Sequence, residues 1–374
     1  MQGGLGPAGE RPHVAPIYQT SIYEYADASA ADAAAEGGAY IYSRYANPTV
    51  EALEAAVASL EGGDEACAFA SGMGALAATL LALGRGAHVL VSDGIYGGTT
   101  ELATGLGPSL GLAVESVPAW DLDAVEAHLR TETRVLLVET ISNPLLRVVD
   151  LPALAALCHR NGTALVVDST FASPALVRPL AHGATAVVHS ASKYLSGHGD
   201  VIGGVVVAAR PVLEGIRLRR KLLGANLAPF EAFLTLRGLR TLGLRLPRQC
   251  DNAAAVARHL QGHEKVRAVH YPGLSHHPDH ERASRLLARP GAMVSFEVAN
   301  VAEARRFYDR IRVFHRAASL GDVASLVTHP VSFSHRGVPA DARRAAGITE
   351  GLLRLSVGIE DEADLLDDLD QALA

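Results

Sequence analysis

The chain has 374 residues, of which 49% are hydrophobic and 20% charged, and its formal net charge at pH 7 is −7. This length allows a large buried core and about two domains, and the composition is typical of globular proteins. The acidic balance argues against a nucleic-acid partner, because surfaces that bind phosphate backbones carry an excess of basic residues.

The N-terminal segment and the cysteines predict a cytoplasmic protein. Residues 1–16 are rich in Gly and Pro and contain no apolar core of a signal peptide. No stretch approaches the roughly 18 apolar residues that a membrane-spanning helix needs. The cysteines, Cys67, Cys158 and Cys250, are scattered without metal-ligand spacing, and a reducing compartment tolerates such isolated thiols.

The first segment in chain order is a predicted intersubunit arm over residues 1–47. It is rich in tyrosine and is expected to be extended as far as about residue 45, where it cannot form a core of its own. A helix is predicted over 49–60, because Asn47 is a favourable N-cap and Pro48 suits the first helical position. A second helix is predicted over 74–83.

Strands and helices alternate in the predicted large domain, residues 48–235. Four apolar stretches have the length of buried strands: residues 88–91, 134–139, 164–168 and 184–189. This alternation, with a helix over 151–160, predicts an α/β fold with a mainly parallel sheet. Ligands bind beyond the carboxyl ends of such strands, where Asn143, Asp168 and Ser190 lie.

The pattern changes in the C-terminal part of the chain. A long helix is predicted over 240–260, and short strands near 292–298 and 352–357. We interpret residues 236–374 as a smaller α+β domain.

Lys193 is the residue that points most directly to chemistry, because it is one of only three lysines in a chain that otherwise uses arginine. Arginine cannot deprotonate, whereas a lysine amine can become a nucleophile. Lys193 stands among small hydroxyl residues in segment 190–198, just after an apolar strand. A Schiff base with pyridoxal phosphate explains this choice, and the alternative is an ordinary lysine in a strand-to-helix loop.

The other parts of a pyridoxal phosphate site have candidates too. Asp168 can pair with the pyridinium nitrogen, although it can also cap a turn. The turn at 71–74 and the hydroxyls of Ser190 and Ser192 can donate to a phosphate. Tyr96 can stack on the ring. A substrate carboxylate needs a clamp, and an arginine within the apolar segment 353–358 suits bidentate binding of that group.

Taken together, these segments resemble the γ-family of pyridoxal phosphate enzymes of cysteine and methionine metabolism, which includes cystathionine γ-synthase, the cystathionine γ- and β-lyases, methionine γ-lyase and the O-acylhomoserine sulfhydrylases. The resemblance covers nearly the whole chain, and its most specific blocks are YSRYANPT (42–49), VDSTFASP (167–174) and SASKYLSGH (190–198). It implies the fold type I architecture, pyridoxal 5'-phosphate as the cofactor, and a trans-sulfuration type of reaction, either elimination or replacement at a sulfur-containing amino acid.

The resemblance also implies roles for individual residues. Lys193 and Tyr96 are the implied catalytic residues. The implied cofactor contacts are Gly72, Met73, Tyr96, Asn143, Asp168, Ser190, Ser192 and Lys193. The implied substrate contacts are Ser319, Arg354 and Asn143. Tyr42 and Arg44 match residues that reach the phosphate of a neighbouring subunit, so a homodimer with shared active sites, and a dimer of dimers, is expected.

Two positions bear on the substrate. Relatives that act on cystathionine carry glutamates where this chain has Ile41 and Ala324, and an ammonium group facing these apolar residues would cost on the order of several kcal/mol. Asp322 can restore an acid nearby. The apolar residues at these two positions favour a smaller or apolar thioether such as methionine, or a cysteine derivative. Against methionine, the methionine γ-lyases typically have a cysteine at the position of Gly98.

The sequence thus predicts a lyase that releases a thiol, ammonia and a 2-oxo acid from a sulfur-containing L-amino acid. A γ-replacement enzyme, either a cystathionine γ-synthase or an O-acylhomoserine sulfhydrylase, is the alternative. The presence of Lys193, Asp168 and Tyr96 argues against a non-catalytic scaffold subunit. No metal site is predicted, because the histidines in segment 276–280 match no catalytic zinc motif.

Overall fold

The structure, a computed structural model, describes residues 12–338 and 340–374. Its larger sheet consists of β1 (Glu65–Phe69), β2 (His88–Ser92), β3 (Ala113–Val117), β4 (Thr133–Glu139), β5 (Ala164–Asp168), β6 (Ala186–Ser190) and β7 (Gly204–Ala208). Its smaller sheet consists of β8 (Ala268–His270), β9 (Met293–Glu297), β10 (His315–Arg316), β11 (Leu326–Thr328) and β12 (Leu352–Ser356).

The larger sheet has the strand order β1-β7-β6-β5-β4-β2-β3, and only β7 runs antiparallel to its neighbours. The predicted α/β class with a mainly parallel sheet is therefore confirmed. Sequence patterns did not predict β1, β3 or β7. For β3 the reason is physical, since it is an edge strand in which only Val117 is buried, so it lacks a continuous apolar run.

Helices cover the sheets and connect their strands. They are α1 (Ala28–Ala33), α2 (Pro48–Glu61), α3 (Gly72–Leu83), α4 (Gly97–Glu101), α5 (Leu122–His128), α6 (Leu151–Asn161), α7 (Ser173–Leu176), α8 (Arg210–Leu223), α9 (Pro229–Gln261), α10 (His280–Leu286), α11 (Val301–Arg310), α12 (Ala340–Ala345) and α13 (Glu362–Leu373). Short π or 3₁₀ turns occupy Ala34–Gly38, Leu102–Leu106, Gly107–Leu110, Pro179–His182 and Pro330–Ser332. None of the helices in the described part of the chain is long and apolar enough to cross a membrane.

Capping residues define where the important helices begin. The Asn47 side chain accepts a hydrogen bond from the Thr49 N–H at 3.0 Å, as predicted for the start of α2. Ser71 caps α3 in the same way, so this helix begins two residues before the predicted start at 74. Both caps satisfy an N–H group that has no acceptor within the helix.

The prediction of an extended arm is wrong for residues 28–38, which form α1 and a following π turn. The run is rich in alanine, the best helix former, and Asp27 caps it by accepting a hydrogen bond from the Ala30 N–H at 2.9 Å. Residues 1–11 of the predicted arm lie outside the described residues.

The cores on the two faces of the larger sheet differ in extent. On one face, β-strand side chains pack against α3 and α8. On the other face, they pack against α2, α6 and α9, and this core continues into the smaller sheet through residues such as Phe296 and Leu353. Helix α9 starts earlier than predicted and runs across the expected domain boundary at 235/236, so the division into domains stays a prediction.

Candidate active site

A cavity of about 640 Å³ lies at the carboxyl ends of β4, β5 and β6 and reaches the smaller sheet. Many of the predicted site residues line it: Gly72, Met73, Tyr96, Asn143, Asp168, Ser190, Ser192, Lys193, Ser319 and Arg354. The two sheets therefore contribute to a single site.

Strand alternation explains why three polar side chains meet in this cavity. Glu139, Asp168 and Ser190 end β4, β5 and β6, and each lies two residues after a side chain in the core against α3 and α8. Side chains two residues apart on a strand point to the same face of a sheet. All three polar groups therefore face the side of the sheet on which α3 begins.

The amine of Lys193 is held at the centre of the cavity. Its Nζ donates a hydrogen bond to the Ser319 Oγ at 2.9 Å. Burial lowers the pKa of this amine, and the positive charge of Arg354 lowers it further. A larger fraction of the amine is consequently neutral near pH 7 than in an exposed lysine, which suits proton transfer and nucleophilic attack.

The carboxyl group of Asp168 is half-buried at the end of β5. Its Oδ1 accepts a hydrogen bond from the Thr170 N–H at 3.0 Å. Burial raises the pKa of Asp168, while hydrogen bonding to Thr170 and the charge of His189 oppose the rise. Across the residues that the structure describes, Asp168 forms no ion pair, so a cationic ring nitrogen is a partner that this carboxylate can take.

The start of α3 provides donors for an anion. The Ser71 Oγ accepts the Gly74 N–H at 3.0 Å, whereas the N–H groups of Gly72 and Met73 belong to the first turn, where no intrahelical acceptor exists. A Cβ atom at position 72 would lie 3.0 Å from the Ser190 Cβ, so the glycine permits this helix to approach β6. Ser192 is already engaged, because its hydroxyl accepts the Gly203 N–H at 2.9 Å.

Arg354 presents a buried guanidinium from the middle of β12. Its Nη1 donates to the Asn143 Oδ1 at 2.7 Å, and its Nη2 donates to the Ser319 backbone oxygen at 3.2 Å. Its Nε is buried and has no hydrogen-bond partner among the described residues. Burial lowers the pKa of Arg354 to about 10, so the group stays charged at neutral pH and can bind a carboxylate.

Four predicted residues do not line this cavity: Ile41, Tyr42, Arg44 and Ala324. Ile41 is 41% exposed and Tyr42 is 38% exposed. Arg44 lies over the Tyr45 ring at 4.9 Å and donates to the Lys221 backbone oxygen at 2.9 Å. The Ala324 N–H is bonded to the Asp322 carboxylate at 3.1 Å. The roles of these four residues stay predictions.

Several lining residues had no predicted role. Glu139 carries the same signal as Asp168, since it is an acid at the end of an apolar strand. Thr170 lies inside a recognised block, and its hydroxyl accepts the Ser190 N–H at 2.8 Å. Ile202 and Phe333 come from loops and carry no pattern that could have identified them.

The histidine-rich segment 276–280 serves a structural purpose. Its Asp279 accepts the Arg147 Nε–H at 2.6 Å and the Val148 N–H at 3.0 Å. Burial lowers the pKa of His277 to about 4, so this ring is neutral at pH 7. Over residues 12–338 and 340–374, no group of three or more His, Cys, Asp or Glu side chains could hold a metal ion.

Comparisons with known proteins identify the family to which the chain belongs. The sequence profile of the family described as "Cys/Met metabolism PLP-dependent enzyme" matches residues 6–374. The L-methionine gamma-lyase of Pseudomonas putida is 43% identical over 367 residues, with 96% of this chain and 92% of the relative covered. The cystathionine gamma-lyase of Bacillus subtilis (strain 168) is 41% identical, with 96% and 93% covered.

A solved structure extends the likeness to three dimensions. The cystathionine gamma synthase of Xanthomonas oryzae pv. oryzae, in complex with aminoacrylate and cysteine, superposes with a TM-score of 0.91 at 41% identity. The alignment covers 96% of this chain and 92% of that chain. With this match, the expected fold type I architecture is confirmed.

Proposed function

The chain belongs to the Cys/Met metabolism family of pyridoxal phosphate-dependent enzymes, and from this premise we propose that it is a carbon–sulfur lyase. Its substrate is a sulfur-containing L-amino acid, and its products are a thiol, ammonia and a 2-oxo acid. The observation that carries the proposal is the meeting of the Lys193 amine, the Asp168 carboxylate and the buried Arg354 guanidinium in one cavity.

The donor set of the cavity fits pyridoxal phosphate. Asp168 offers a half-buried carboxylate to the ring nitrogen, and Lys193 offers its amine to the aldehyde carbon. The first-turn N–H groups of Gly72 and Met73, with the Ser190 hydroxyl, suit the phosphate. When bound, the cofactor supplies a carbonyl carbon that bonds the substrate amine and a ring that takes up the electrons released at Cα.

The protein residues then bind the substrate and move protons. Arg354 binds the α-carboxylate with its Nε and Nη groups, and Asn143 and Ser319 hold the guanidinium in place. Lys193 would hold the cofactor through its amine, and this amine would carry protons from Cα and Cβ of the substrate in turn. Tyr96 lines the cavity, where its ring would stack on the cofactor and its hydroxyl would assist with the proton at the leaving sulfur.

The charges in the cavity favour a substrate with an uncharged side chain. Among the described residues, Glu139, Asp168, Lys193 and Arg354 are the charged or titratable acids and bases that line it, besides Tyr96. The Lys193 amine and Asp168 are assigned to the cofactor, and the Arg354 guanidinium is assigned to the α-carboxylate. Glu139 accepts a hydrogen bond from the Tyr96 backbone N–H. No charge is left for a distal ammonium, which agrees with the apolar residues Ile41 and Ala324.

The outer part of the cavity supports the same substrate class. Ile202 and Phe333 line it and are 70% and 49% exposed, and the buried Leu320 lies beside them in the lining. Side chains of this kind bind an alkylthio group better than a second amino-acid head group, because they offer no partner to a charge. Methionine is therefore proposed ahead of cystathionine.

The proposal includes a homo-oligomer with shared active sites. Tyr42 and Arg44 lie outside the cavity of their own chain, where they are available to a neighbouring one. Exposed leucines on the adjacent helix α8, Leu218, Leu222 and Leu223, offer an apolar surface for association. A cytoplasmic location remains a prediction from the sequence.

A γ-replacement enzyme is the second candidate, and the likeness to the cystathionine gamma synthase of Xanthomonas oryzae favours it. Both reactions need the same amine, acid and guanidinium. In elimination, water reacts after the γ-substituent leaves, whereas in replacement a thiol does. The residues that line one chain's cavity do not distinguish the two reactions.

Product analysis tests the proposal. The cofactor-loaded protein is incubated separately with L-methionine, L-cystathionine, and an O-acylhomoserine plus a thiol, and products are identified by mass spectrometry. We expect 2-oxobutanoate and methanethiol from methionine at a higher kcat/KM than any product from cystathionine. Pyruvate from cystathionine would indicate β-elimination. A new thioether without any 2-oxo acid would overturn the lyase proposal in favour of γ-replacement.

A further inference from the structure

A second carboxyl group, that of Glu139, lies beside Asp168 in the cavity. Glu139 and Asp168 are direct partners across the parallel strands β4 and β5. Glu139 is buried, and it lines the same cavity as Lys193. A buried acid that forms no ion pair within the described residues is costly, so its contacts need an explanation.

The two oxygens of Glu139 have different surroundings. Oε1 accepts a hydrogen bond from the Tyr96 N–H at 2.8 Å. Oε2 is buried without a partner in the part of the chain that the structure describes. The carboxyl group therefore bonds the peptide that begins α4, and this bond sets the position of the Tyr96 Cα.

The Tyr96 ring depends on that backbone position. The Tyr96 backbone oxygen accepts a hydrogen bond from the Thr99 N–H at 2.9 Å, and this bond begins the first turn of α4. A Cβ atom at position 98 would lie 2.6 Å from the Tyr96 Cε1, so the ring folds closely over Gly98. With the ring packed against the first turn of α4, a shift of that turn moves the ring over the cavity.

Electrostatics separate the two acids. Burial, with the negative charge of Asp168 added to it, raises the pKa of Glu139 well above its ordinary value. Asp168 instead gains hydrogen bonds from Thr170. Two adjacent carboxyl groups do not ionise together readily. The positive charge of Arg354 acts on Glu139 and that of His189 on Asp168, and Lys193 lines the same cavity.

We propose that Glu139 is a positioning residue whose carboxyl group holds the Tyr96 backbone over the cavity and leaves Asp168 as the carboxylate that pairs with the cofactor ring. The proposal rests on family membership and goes beyond the proposed reaction. It predicts that an uncharged acceptor of the same shape can replace Glu139, whereas an apolar side chain of the same length cannot.

Two near-isosteric variants of the holoenzyme, Glu139→Gln and Glu139→Met, test this proposal. The readouts are the visible circular dichroism of the bound cofactor, its affinity from titration, and kcat and KM with the best sulfur amino acid. Glu139→Gln keeps an acceptor for the Tyr96 N–H, so we expect kcat/KM within about threefold of the parent and an unchanged dichroic band. Glu139→Met loses the acceptor, so we expect about a tenfold loss in kcat/KM and an altered band.

Glu126→Met, at an exposed position of α5, is the matched control and is expected to change none of these readouts. An equal loss in Glu139→Gln and Glu139→Met would overturn the proposal, because it would assign chemistry to the ionised carboxylate. A Met variant identical to the parent would also overturn it. If the Met variant does not fold, the Gln variant decides. If no sulfur amino acid is turned over, the lyase proposal fails, and the dichroic band and cofactor affinity still test Glu139.

Discussion

The two sheets contribute to the cavity in different ways. The larger sheet presents Asp168 and Ser190 at the ends of adjacent strands, and Lys193 in the turn that follows β6. The smaller sheet presents Arg354 from the middle of β12, a strand whose residues are all buried. The first group lies at the edge where parallel strands end, whereas the second reaches the cavity from inside the other sheet.

The contacts of the two groups differ accordingly. Asp168 and Ser190 are held by Thr170, which lies two residues after the end of β5. Arg354 is held by Asn143, which lies 211 residues away in the chain. The proposed cofactor contacts therefore come from one sheet, whereas the proposed substrate contacts come from the place where the two sheets meet. Substitutions on the first side should affect the cofactor and kcat, and substitutions on the second should affect KM.

The largest effect is expected for Lys193→Ala. Loss of the amine removes both the covalent link to the cofactor and the proton carrier, so kcat should fall by at least about 10³-fold. Borohydride treatment followed by mass spectrometry should find cofactor attached to the parent and none on the variant. Lys265→Arg, far from the cavity, serves as the control. Attachment that persists in Lys193→Ala would refute the assignment.

The next largest effect is expected for Asp168→Asn. The substitution keeps the shape but removes the charge opposite the ring nitrogen, and breaking a buried pair costs about 3–5 kcal/mol. Cofactor affinity and kcat should fall together by roughly 10²–10³-fold. Cofactor titration and steady-state kinetics measure the two. If KM alone changed, the division of roles between the sheets would be wrong.

Arg354→Lys should separate the substrate side from the cofactor side. Lysine keeps the charge but loses the fork that binds a carboxylate. Loss of a charge-assisted hydrogen bond costs about 1.5–3 kcal/mol, so kcat/KM should fall about 10- to 100-fold, mainly through KM. Cofactor affinity should fall much less than in Asp168→Asn. A loss of cofactor affinity in Arg354→Lys as large as that in Asp168→Asn would contradict the separate roles proposed for the two sheets.

Asp279→Asn tests the contact between the two parts of the site. Asp279 precedes α10, and its carboxylate bonds Arg147 and the backbone of Val148, in the segment that carries Asn143. We expect a lower Tm and a fall in kcat/KM of about fivefold, smaller than for Arg354→Lys, because the contact acts on the substrate indirectly. The exposed pair of Asp251 with Arg289 supplies the control, Asp251→Asn, with no expected change.

The smallest effect is expected for Ala324→Glu. A partly exposed ion pair contributes about 0.2–1 kcal/mol, so the ratio of kcat/KM for cystathionine to that for methionine should rise about two- to fivefold. Ile41→Glu should act in the same direction if the arm reaches a neighbouring cavity. An unchanged ratio in both variants would contradict the interpretation of these two positions.

Much of the site could be predicted because its residues follow sequence patterns. Asp168 ends an apolar strand, and Lys193 is one of few lysines in a chain rich in arginine. Glu139 ends a strand in the same way, but its role depends on the Tyr96 backbone 43 residues away. Helix α1 was not predicted, because the tyrosine-rich segments on both sides indicated an extended arm, although Asp27 caps an alanine-rich run.

The sequence by itself determined the α/β class, the three strands at whose ends the site lies, and the chemical groups available, because burial and strand length are reflected in runs of apolar residues. Only the tertiary structure decided which of these groups meet. The bond between Arg354 and Asn143, the pairing of Glu139 with Tyr96, and the exclusion of Ala324 from the cavity all depend on packing between segments distant in the chain. Local periodicity carries no information about such contacts.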